Sequence, residues 1–292
     1  MSKSDTNPRG RNPLTWFTET LETGLGRQLQ VEYTKTLASI HSDFQHLEVF
    51  ETVPYGKMLV LDGVIQLTEF DHFAYHEMLV HVPMAAHPNP ESLLIVGGGD
   101  GGALTEAVKH ESLKTIVLCE IDKAVIDVSR KHFPEFNKAF DDKRVTVIIR
   151  DAAEYIKNKA NAFDVILIDS SDPIGPAEIL FQEAFYRDVY TALTSDGIAV
   201  SQSESMFYHH DFIAKLFTQN KMIFPVNAYY YTLVPTYPSG TIGFSFCSKT
   251  IDPITHPSTH RMADLKGLKY YSEAIHSAAF VLPVFMRVNL GQ

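Results

Sequence analysis

The sequence predicts an α/β protein: a Rossmann-like domain with a mostly parallel sheet, preceded by a small antiparallel β-domain. Three observations carry this prediction. Between residues 28 and 70, apolar and polar side chains alternate with a period of two, the pattern of half-buried strands. From Ser92 onward, short apolar runs alternate with helical stretches, which builds βαβ units and a mostly parallel sheet. The first of those runs enters a glycine turn, "LLIVGGGDGGALTEAVKH" over residues 93–110, and such a turn lets a ligand approach the backbone closely.

Taken in order, residues 1–13, "MSKSDTNPRGRNP", lack the apolar core of a secretory signal and are expected to be a disordered tail. The β-domain is expected over 14–88. Its strands are "LQVEYTKTL", "HLEVFET" and the two halves of "KMLVLDGVIQLTE", with Asp62-Gly63 as a hairpin turn. "HFAYHEMLVHVPMAAH" has helical spacing and closes this domain, and the prolyl break "HPNPES" sets the boundary. The catalytic domain is expected over 89–292. "SLLIV", "TIVLCE", "RVTVIIRD" and "FDVILIDS" are its first four strands, separated by the helices "ALTEAVKH", "KAVIDVSRKHF" and "AAEYIKN". "FQEAFYRDVYTAL", the strand "GIAVSQSES" and "HDFIAKLFTQ" continue the alternation, and "NAYYYTLVP" with "GTIGFSFCSK" forms a terminal hairpin. The last 40 residues, including "DLKGLKYYSEAIHSAAFVLPVFM", are expected to be helical and to pack back onto the body.

Composition bounds the function. The chain has 292 residues, 45% hydrophobic and 21% charged, which suits a globular protein with a sizeable core. No run of about 18 apolar residues exists, so no membrane span is expected. Cys119 and Cys247 are the only cysteines; with no disulfide framework, a cytoplasmic protein is expected. The formal net charge of −10 argues against nucleic acid as a partner and is compatible with a cationic substrate.

The chemistry begins at the strand ends. In an open parallel sheet the ligand lies beyond the carboxyl ends of the strands. Four consecutive ends here carry an acid: Asp100 in the glycine turn, Glu120, Asp151 and Asp169. Any one of them can be a helix cap or loop residue; all four together point to a ligand. Residues 97–102 match GxGxxG, and Glu120 lies 18 residues beyond Gly102, where a carboxylate hydrogen-bonds ribose hydroxyls. A dinucleotide would set its pyrophosphate against Asp100, and two negative charges about 4 Å apart repel by roughly 4 kcal/mol at an effective dielectric of 20. A nucleoside with a cationic arm fits instead. With Asp151 accepting from an adenine amino group, the set describes an S-adenosyl sulfonium compound. The carboxylate of ordinary S-adenosylmethionine would meet the same repulsion, so a decarboxylated arm ending in an ammonium is favoured.

The loop "DSSDPIGP" over 169–176 puts two carboxylates and two hydroxyls after the fourth strand. It reads as a polar turn with Asx hydrogen bonds or as an amine site. A Mg²⁺ site would call for a phosphate ligand, and the sequence offers no place for one. An alkyl ammonium with pKa near 10 costs roughly 4 kcal/mol to neutralise at pH 7, so a general base is needed. Asp169 is expected to be that base, with burial and Asp172 raising its pKa.

"VLDGVIQLTEFDHFAYHEM", "GGGDGG", "CEID", "DSSDPIGPAEILF" and "PTYPSG", in this order and spacing, resemble the polyamine aminopropyltransferases. The resemblance runs from about Trp16 to "YYSEAIHSAAFVLP". It implies a homodimer that moves an aminopropyl group from decarboxylated S-adenosylmethionine, as co-substrate and without a bound prosthetic group or metal, to putrescine. The products would be spermidine and 5′-methylthioadenosine. It implies that Asp169 accepts the proton. Gln45, Glu120, Asp151, Ala152 and Pro176 are implied on the nucleoside side, and Asp100 on the aminopropyl amine. Tyr75, His76, Asp169, Ser170, Ser171, Asp172 and Tyr237 are implied on the polyamine side; His76 stands where some members have glutamine. Gln202 and Glu204, ending the fifth strand, could reach the amine through water.

From the residues alone, Tyr75 and His76 also read as helix packing, Gln45 as a strand residue, Tyr237 as a turn aromatic, and Trp16 as pocket lining or core. A methyltransferase, a nucleoside- or polyamine-binding protein and an NAD dehydrogenase are the competing functions. The charge at Asp100 opposes the first and the last. The accepting amine stays open among putrescine, cadaverine, a longer diamine and spermidine.

Overall fold

The computed structural model of the chain describes residues 15–21, 23–171, 175–255 and 259–292. The tail expected over 1–13 lies outside the described residues, as does Asp172. The chain forms two compact units that divide after Phe70.

In the first unit, five strands form an antiparallel sheet in sequence order: β1 (Thr15–Thr18), β2 (Gln30–His41), β3 (His46–Thr52), β4 (Lys57–Leu61) and β5 (Val64–Thr68). The period-two pattern puts Phe17, Val31, Phe50, Met58, Val60 and Ile65 into one core cluster. Leu61 pairs with Val64, so Asp62-Gly63 is the two-residue hairpin turn. Both turn residues have positive φ, 49° and 79°, as a type I′ turn requires.

The second unit opens with α1 (His72–Ala86) and continues β6 (Ser92–Gly97), α2 (Gly102–Ala107), β7 (Thr115–Glu120), α3 (Lys123–His132), α4 (Asn137–Phe140), β8 (Val145–Ile149), α5 (Ala152–Ile156), β9 (Phe163–Asp169), α6 (Glu183–Ala192), β10 (Leu193–Gln202), α7 (His210–Lys221), β11 (Val226–Leu233), β12 (Thr241–Ser248), α8 (Thr259–Ala263), α9 (Glu273–Ala279) and α10 (Val284–Asn289). Its seven-stranded sheet has the order β11-β12-β10-β9-β6-β7-β8. The five strands β10 to β8 are parallel, and β12 joins β10 and β11 antiparallel, the expected terminal hairpin. Leu93–Val96 of β6 and Val165–Ile168 of β9 are almost completely buried, because central parallel strands are covered on both faces.

Two expectations differ from this architecture. The boundary expected at 88/89 falls after α1, whereas contacts group α1 with the second unit. The helix is buried from Ala74 to Ala86, so it shows no apolar stripe that would mark which partner it packs on. Tyr230 Oη donates to Met78 O at 3.0 Å, and Asp71 Oδ2 accepts from Thr236 N at 2.9 Å, which ties α1 to the terminal hairpin. The C-terminal segment is also less helical than expected: residues 264–272 form no helix. The backbone amides of Lys269, Tyr270 and Tyr271 donate to the Glu77 carboxylate at 2.7, 2.9 and 2.7 Å. A helix begins only at the Ser272 cap and stops short of Pro283, which starts α10.

Candidate active site

The sheet changes direction between β9 and β6. The chain steps outward from β6 to β7 and β8, then returns to β9 on the other side. Ligands of open α/β sheets bind at this switch point. The four acidic strand ends therefore lie side by side: Asp169 closes β9, Asp100 follows β6, Glu120 closes β7 and Asp151 follows β8. Gly97 pairs with Asp169, and Gly98 N donates to Asp169 O at 2.9 Å, so the glycine turn is fastened to the strand that carries the expected base.

Asp169 Oδ1 accepts the Tyr75 hydroxyl at 2.7 Å. Oδ2 is buried with no hydrogen-bond partner among the described residues, and so is Ser170 Oγ. Burial first, and the Asp100 charge second, push the Asp169 carboxyl up to about 7, against the opposing pull of His76 and Tyr75. The raised pKa expected of this base is present, but Asp100 is the second carboxylate that supports it; Asp172 lies outside the described residues. Tyr75 is buried, and burial followed by the Asp169 charge holds its hydroxyl well above the usual phenol range, so it donates. Its ring meets Phe244 at 5.4 Å and, edge-on, Tyr237 at 6.1 Å. Tyr237 is set by a tight turn in which its amide donates to Val234 O and its carbonyl accepts from Gly240 N, both at 2.9 Å.

Asp100 Oδ1 accepts from Gly102 N at 2.7 Å and lies 3.4 Å from His76 Nε2. Burial raises its pKa, but the combined pull of His76, the Gly102 amide and His72 brings it below the usual carboxylate value. His76 is 4% exposed. Burial disfavours its charge, yet Asp100, Asp169 and Glu106 outweigh this and raise its pKa. Its ring fills the space in which a Cβ at position 102 would stand, so only glycine fits there. His76 Nδ1 is 3.3 Å from Nδ1 of His72, a residue that the sequence reading passed over. The signal that could have found it is the i, i+4 spacing, which puts both rings on one helix face.

Glu120 is 8% exposed. Oε1 accepts from Asp122 N at 2.8 Å and Oε2 from Gly99 N at 3.2 Å; burial still pushes its pKa up to about 7. Asp151 Oδ1 accepts from Ala153 N at 2.8 Å and caps α5, whose first residue, Ala152, is buried. Ser171 is half-buried, and the Pro176 side chain lies outside the described residues. Gln45 belongs to the first unit and stands in the β2–β3 turn, not within a strand; its amide donates to Ser42 Oγ at 3.1 Å. Trp16 is 49% exposed on β1 and is not a core residue. Gln202 and Glu204 are both buried at and after the end of β10. Glu204 has φ of 61° and lies 2.9 Å from His209 Nδ1.

One ligating atom each from His76, Asp100 and Asp169 lies within 4.8 Å of the others, close enough for a divalent cation. The imidazole argues for another occupant. A ligating histidine must be neutral, whereas its carboxylate neighbours hold this one towards the cation. An acidic site with one unpartnered carboxylate oxygen suits an amine.

A mostly parallel sheet, a glycine turn at its switch point and an acid after each of four strands define a Rossmann-like, methyltransferase-type transferase. Comparison with known proteins narrows this class. Residues 72–256 match the spermine/spermidine synthase domain, and residues 15–69 match the spermidine synthase tetramerisation domain. A polyamine aminopropyltransferase of Leptospira biflexa is 52% identical over 276 residues, 94% of this chain and 98% of that one. A spermidine synthase of Dictyostelium discoideum is 45% identical over 94% of this chain and 97% of its own. Among solved structures, a spermidine synthase in complex with the transition-state analogue AdoDATO is 41% identical, with a TM-score of 0.92 over 95% of each chain. Spermidine synthase from Thermotoga maritima, also 41% identical, has a TM-score of 0.90 over 95% of this chain and 94% of that one. The chain belongs to the spermine/spermidine synthase family and is an aminopropyl-transferring enzyme.

Proposed function

We propose that the protein transfers the aminopropyl group of decarboxylated S-adenosylmethionine to putrescine, giving spermidine and 5′-methylthioadenosine. The donor is a co-substrate consumed at each turnover. One observation carries this function: the buried, unpartnered Oδ2 of Asp169 lies beside Asp100 at the switch point, with its pKa raised to about 7. A carboxylate of that pKa can take a proton from an alkyl ammonium far more readily than one near 4.

The adenosine is held by Glu120 at its ribose and by Asp151 and Ala152 at its base, with Pro176 on the same ligand. Asp100 holds the donor's terminal ammonium. Asp169 removes a proton from the attacking amine, and Tyr75 keeps Oδ1 in place so that Oδ2 faces the substrate. The neutral nitrogen attacks the methylene carbon beside the sulfonium. The carbon–sulfur bond breaks, its electron pair neutralises the sulfur, and methylthioadenosine leaves. Tyr237, His76, Ser170 and Ser171 line the polyamine side. The protein works in the cytoplasm as a homodimer; light scattering should separate that assembly from the tetramer in the description of the matched N-terminal domain.

The test is direct. Purified protein is incubated with the decarboxylated donor and putrescine, cadaverine or spermidine, and products are identified by mass spectrometry. Spermidine from putrescine is expected to dominate. Methyl transfer from intact S-adenosylmethionine without aminopropyl transfer would replace this function with a methyltransferase.

A further inference from the structure

We propose that His76 is the resident cation of the empty acidic site, and that an ammonium arriving at Asp100 expels one proton from His76 to solvent through His72. This inference rests on the donor site described above and adds a coupling to it.

The geometry makes His76 unusual among the site residues. It is buried, at 4% exposed, with Nε2 at 3.4 Å from Asp100 Oδ1 and Nδ1 at 3.3 Å from Nδ1 of His72. Two like nitrogens that close share one proton: one carries it and the other offers its lone pair. The surroundings decide which. His76 is faced by Asp100 from the glycine turn, Asp169 from β9, Glu106 from α2 and the neutral Tyr75 from α1; the ring of Phe136 adds no charge. His72 is half-buried and packs edge-on to Phe136; Asp100 and Glu106 favour its charge, but burial, His76 and Lys269 outweigh them. The proton therefore sits on His76 and the lone pair on His72. In keeping with this, the pKa of His76 is raised, whereas burial and the neighbouring His76 push His72 down to about 3.

The same carboxylate that holds His76 is the one offered to the donor's ammonium. Two positive charges would then share one buried acid, and the weaker acid–base pair yields. His76 passes its Nδ1 proton to His72 Nδ1, and His72 gives up its Nε2 proton to solvent. One proton leaves, both rings end neutral, and His76 keeps its Nε2–H towards Asp100. A histidine of raised pKa is thus a stand-in for the substrate's charge, and donor binding is linked to proton release.

Isothermal titration calorimetry at pH 6.5, in buffers of different ionisation enthalpy, counts the protons in the Asp169→Asn protein, which removes the proton that Asp169 itself holds at this pH. Three probes are used: the decarboxylated donor, methylthioadenosine, and the adenosyl thioether, uncharged at sulfur, that carries the 3-aminopropyl arm. The first and third share the ammonium and should release a substantial fraction of one proton per site more than methylthioadenosine, whose release reports on Glu120 at the ribose. His76→Gln should bind the donor with no more release than methylthioadenosine gives. His72→Phe, which removes the acceptor, should move the release-versus-pH curve to lower pH, and His72→Gln, which restores an accepting oxygen, should move it back. Donor binding with no more release than methylthioadenosine overturns the inference and leaves the proposed function standing. Release beyond that of methylthioadenosine that survives in His76→Gln also overturns it, since another group then supplies the proton. If methylthioadenosine binds and the donor does not, the proposed function fails and the coupling with it.

Discussion

At the residue scale, the proposed function divides the chemistry between Asp169 and Asp100. Asp169→Asn keeps the Tyr75 contact at Oδ1 but cannot accept a proton. Turnover at saturating substrates should fall at least ~10²-fold, the lower range for a general base, with methylthioadenosine affinity retained. An unchanged kcat would remove Asp169 from that role. Asp100→Asn removes the charge proposed to discriminate between donors. Its preference for the decarboxylated donor over S-adenosylmethionine should shrink by roughly 10-fold, the factor that corresponds to about 1.4 kcal/mol. Competition binding of both donors to both proteins reads this ratio, and an unaltered ratio would leave Asp100 as the Asx turn to Gly102 alone. The acidic strand ends were legible because strand-terminal position is written directly in an apolar run that stops at Asp or Glu. The identity of the groups tuning each acid was not, since it depends on side chains brought together across the fold. Asp172, three residues along the loop, was the expected neighbour of Asp169, while Asp100, 69 positions away in sequence, supplies the charge. His72 escaped notice for the same reason: its partner matters only once the helix is packed.

At the scale of elements, every strand of the parallel sheet was readable, as were the Asp62-Gly63 hairpin and the terminal hairpin. Short apolar runs bounded by turn residues leave little choice. The allegiance of α1 and the irregular segment 264–272 were not readable. Both depend on Glu77, a single buried carboxylate in a helix with apolar residues on nearly every side. It accepts three backbone amides from Lys269, Tyr270 and Tyr271, and nothing in a linear pattern pairs a helix residue with a segment nearly 200 positions on. Glu77→Ala strands those amides, of which Tyr271 is buried, Tyr270 half-buried and Lys269 exposed. Each orphaned donor costs about 1–3 kcal/mol, reduced where water can enter, so a loss of roughly 2–5 kcal/mol is expected. Urea denaturation would measure it. Because Glu77 adjoins Tyr75 and His76, Glu77→Gln should keep much of the stability while raising KM for the amine more than for the nucleoside. Equal changes in both constants would confine Glu77 to holding the C-terminal segment.

At the scale of the whole molecule, the site's ionisation should set stability against activity as pH rises. Asp169 and Glu120 each have a pKa near 7 in the folded protein, well above the values of about 4 they take in an unfolded chain. Between those values the folded state holds protons that the unfolded state does not, so stability falls as pH rises. From pH 6 to pH 8 each such group removes on the order of 1 kcal/mol. His76 acts in the same direction, because its raised pKa contributes stability that is lost as pH climbs through the folded value. The buried neutral histidines work the other way. His72, His87, His110 and His276 all have lowered pKa values, so they cost stability as pH falls below about 6.5, where an unfolded histidine takes up a proton. The ligand-free protein should therefore be most stable slightly below neutrality. Proton removal from an amine of pKa near 10 drives activity the opposite way, and kcat/KM for putrescine should peak above pH 7 in a bell whose limbs belong to the coupled site. Thermal unfolding of the ligand-free enzyme between pH 6 and 8 tests the stability half of this. Wild type should lose several degrees, at roughly 2–4 °C per kcal/mol. Asp169→Asn and Glu120→Gln, which have no proton to lose, should each flatten the slope and be more stable than wild type at pH 8. Variants whose slopes match that of the wild type would mean that these two acids are already ionised below pH 6, and the base proposed for the reaction would lose the property that qualifies it.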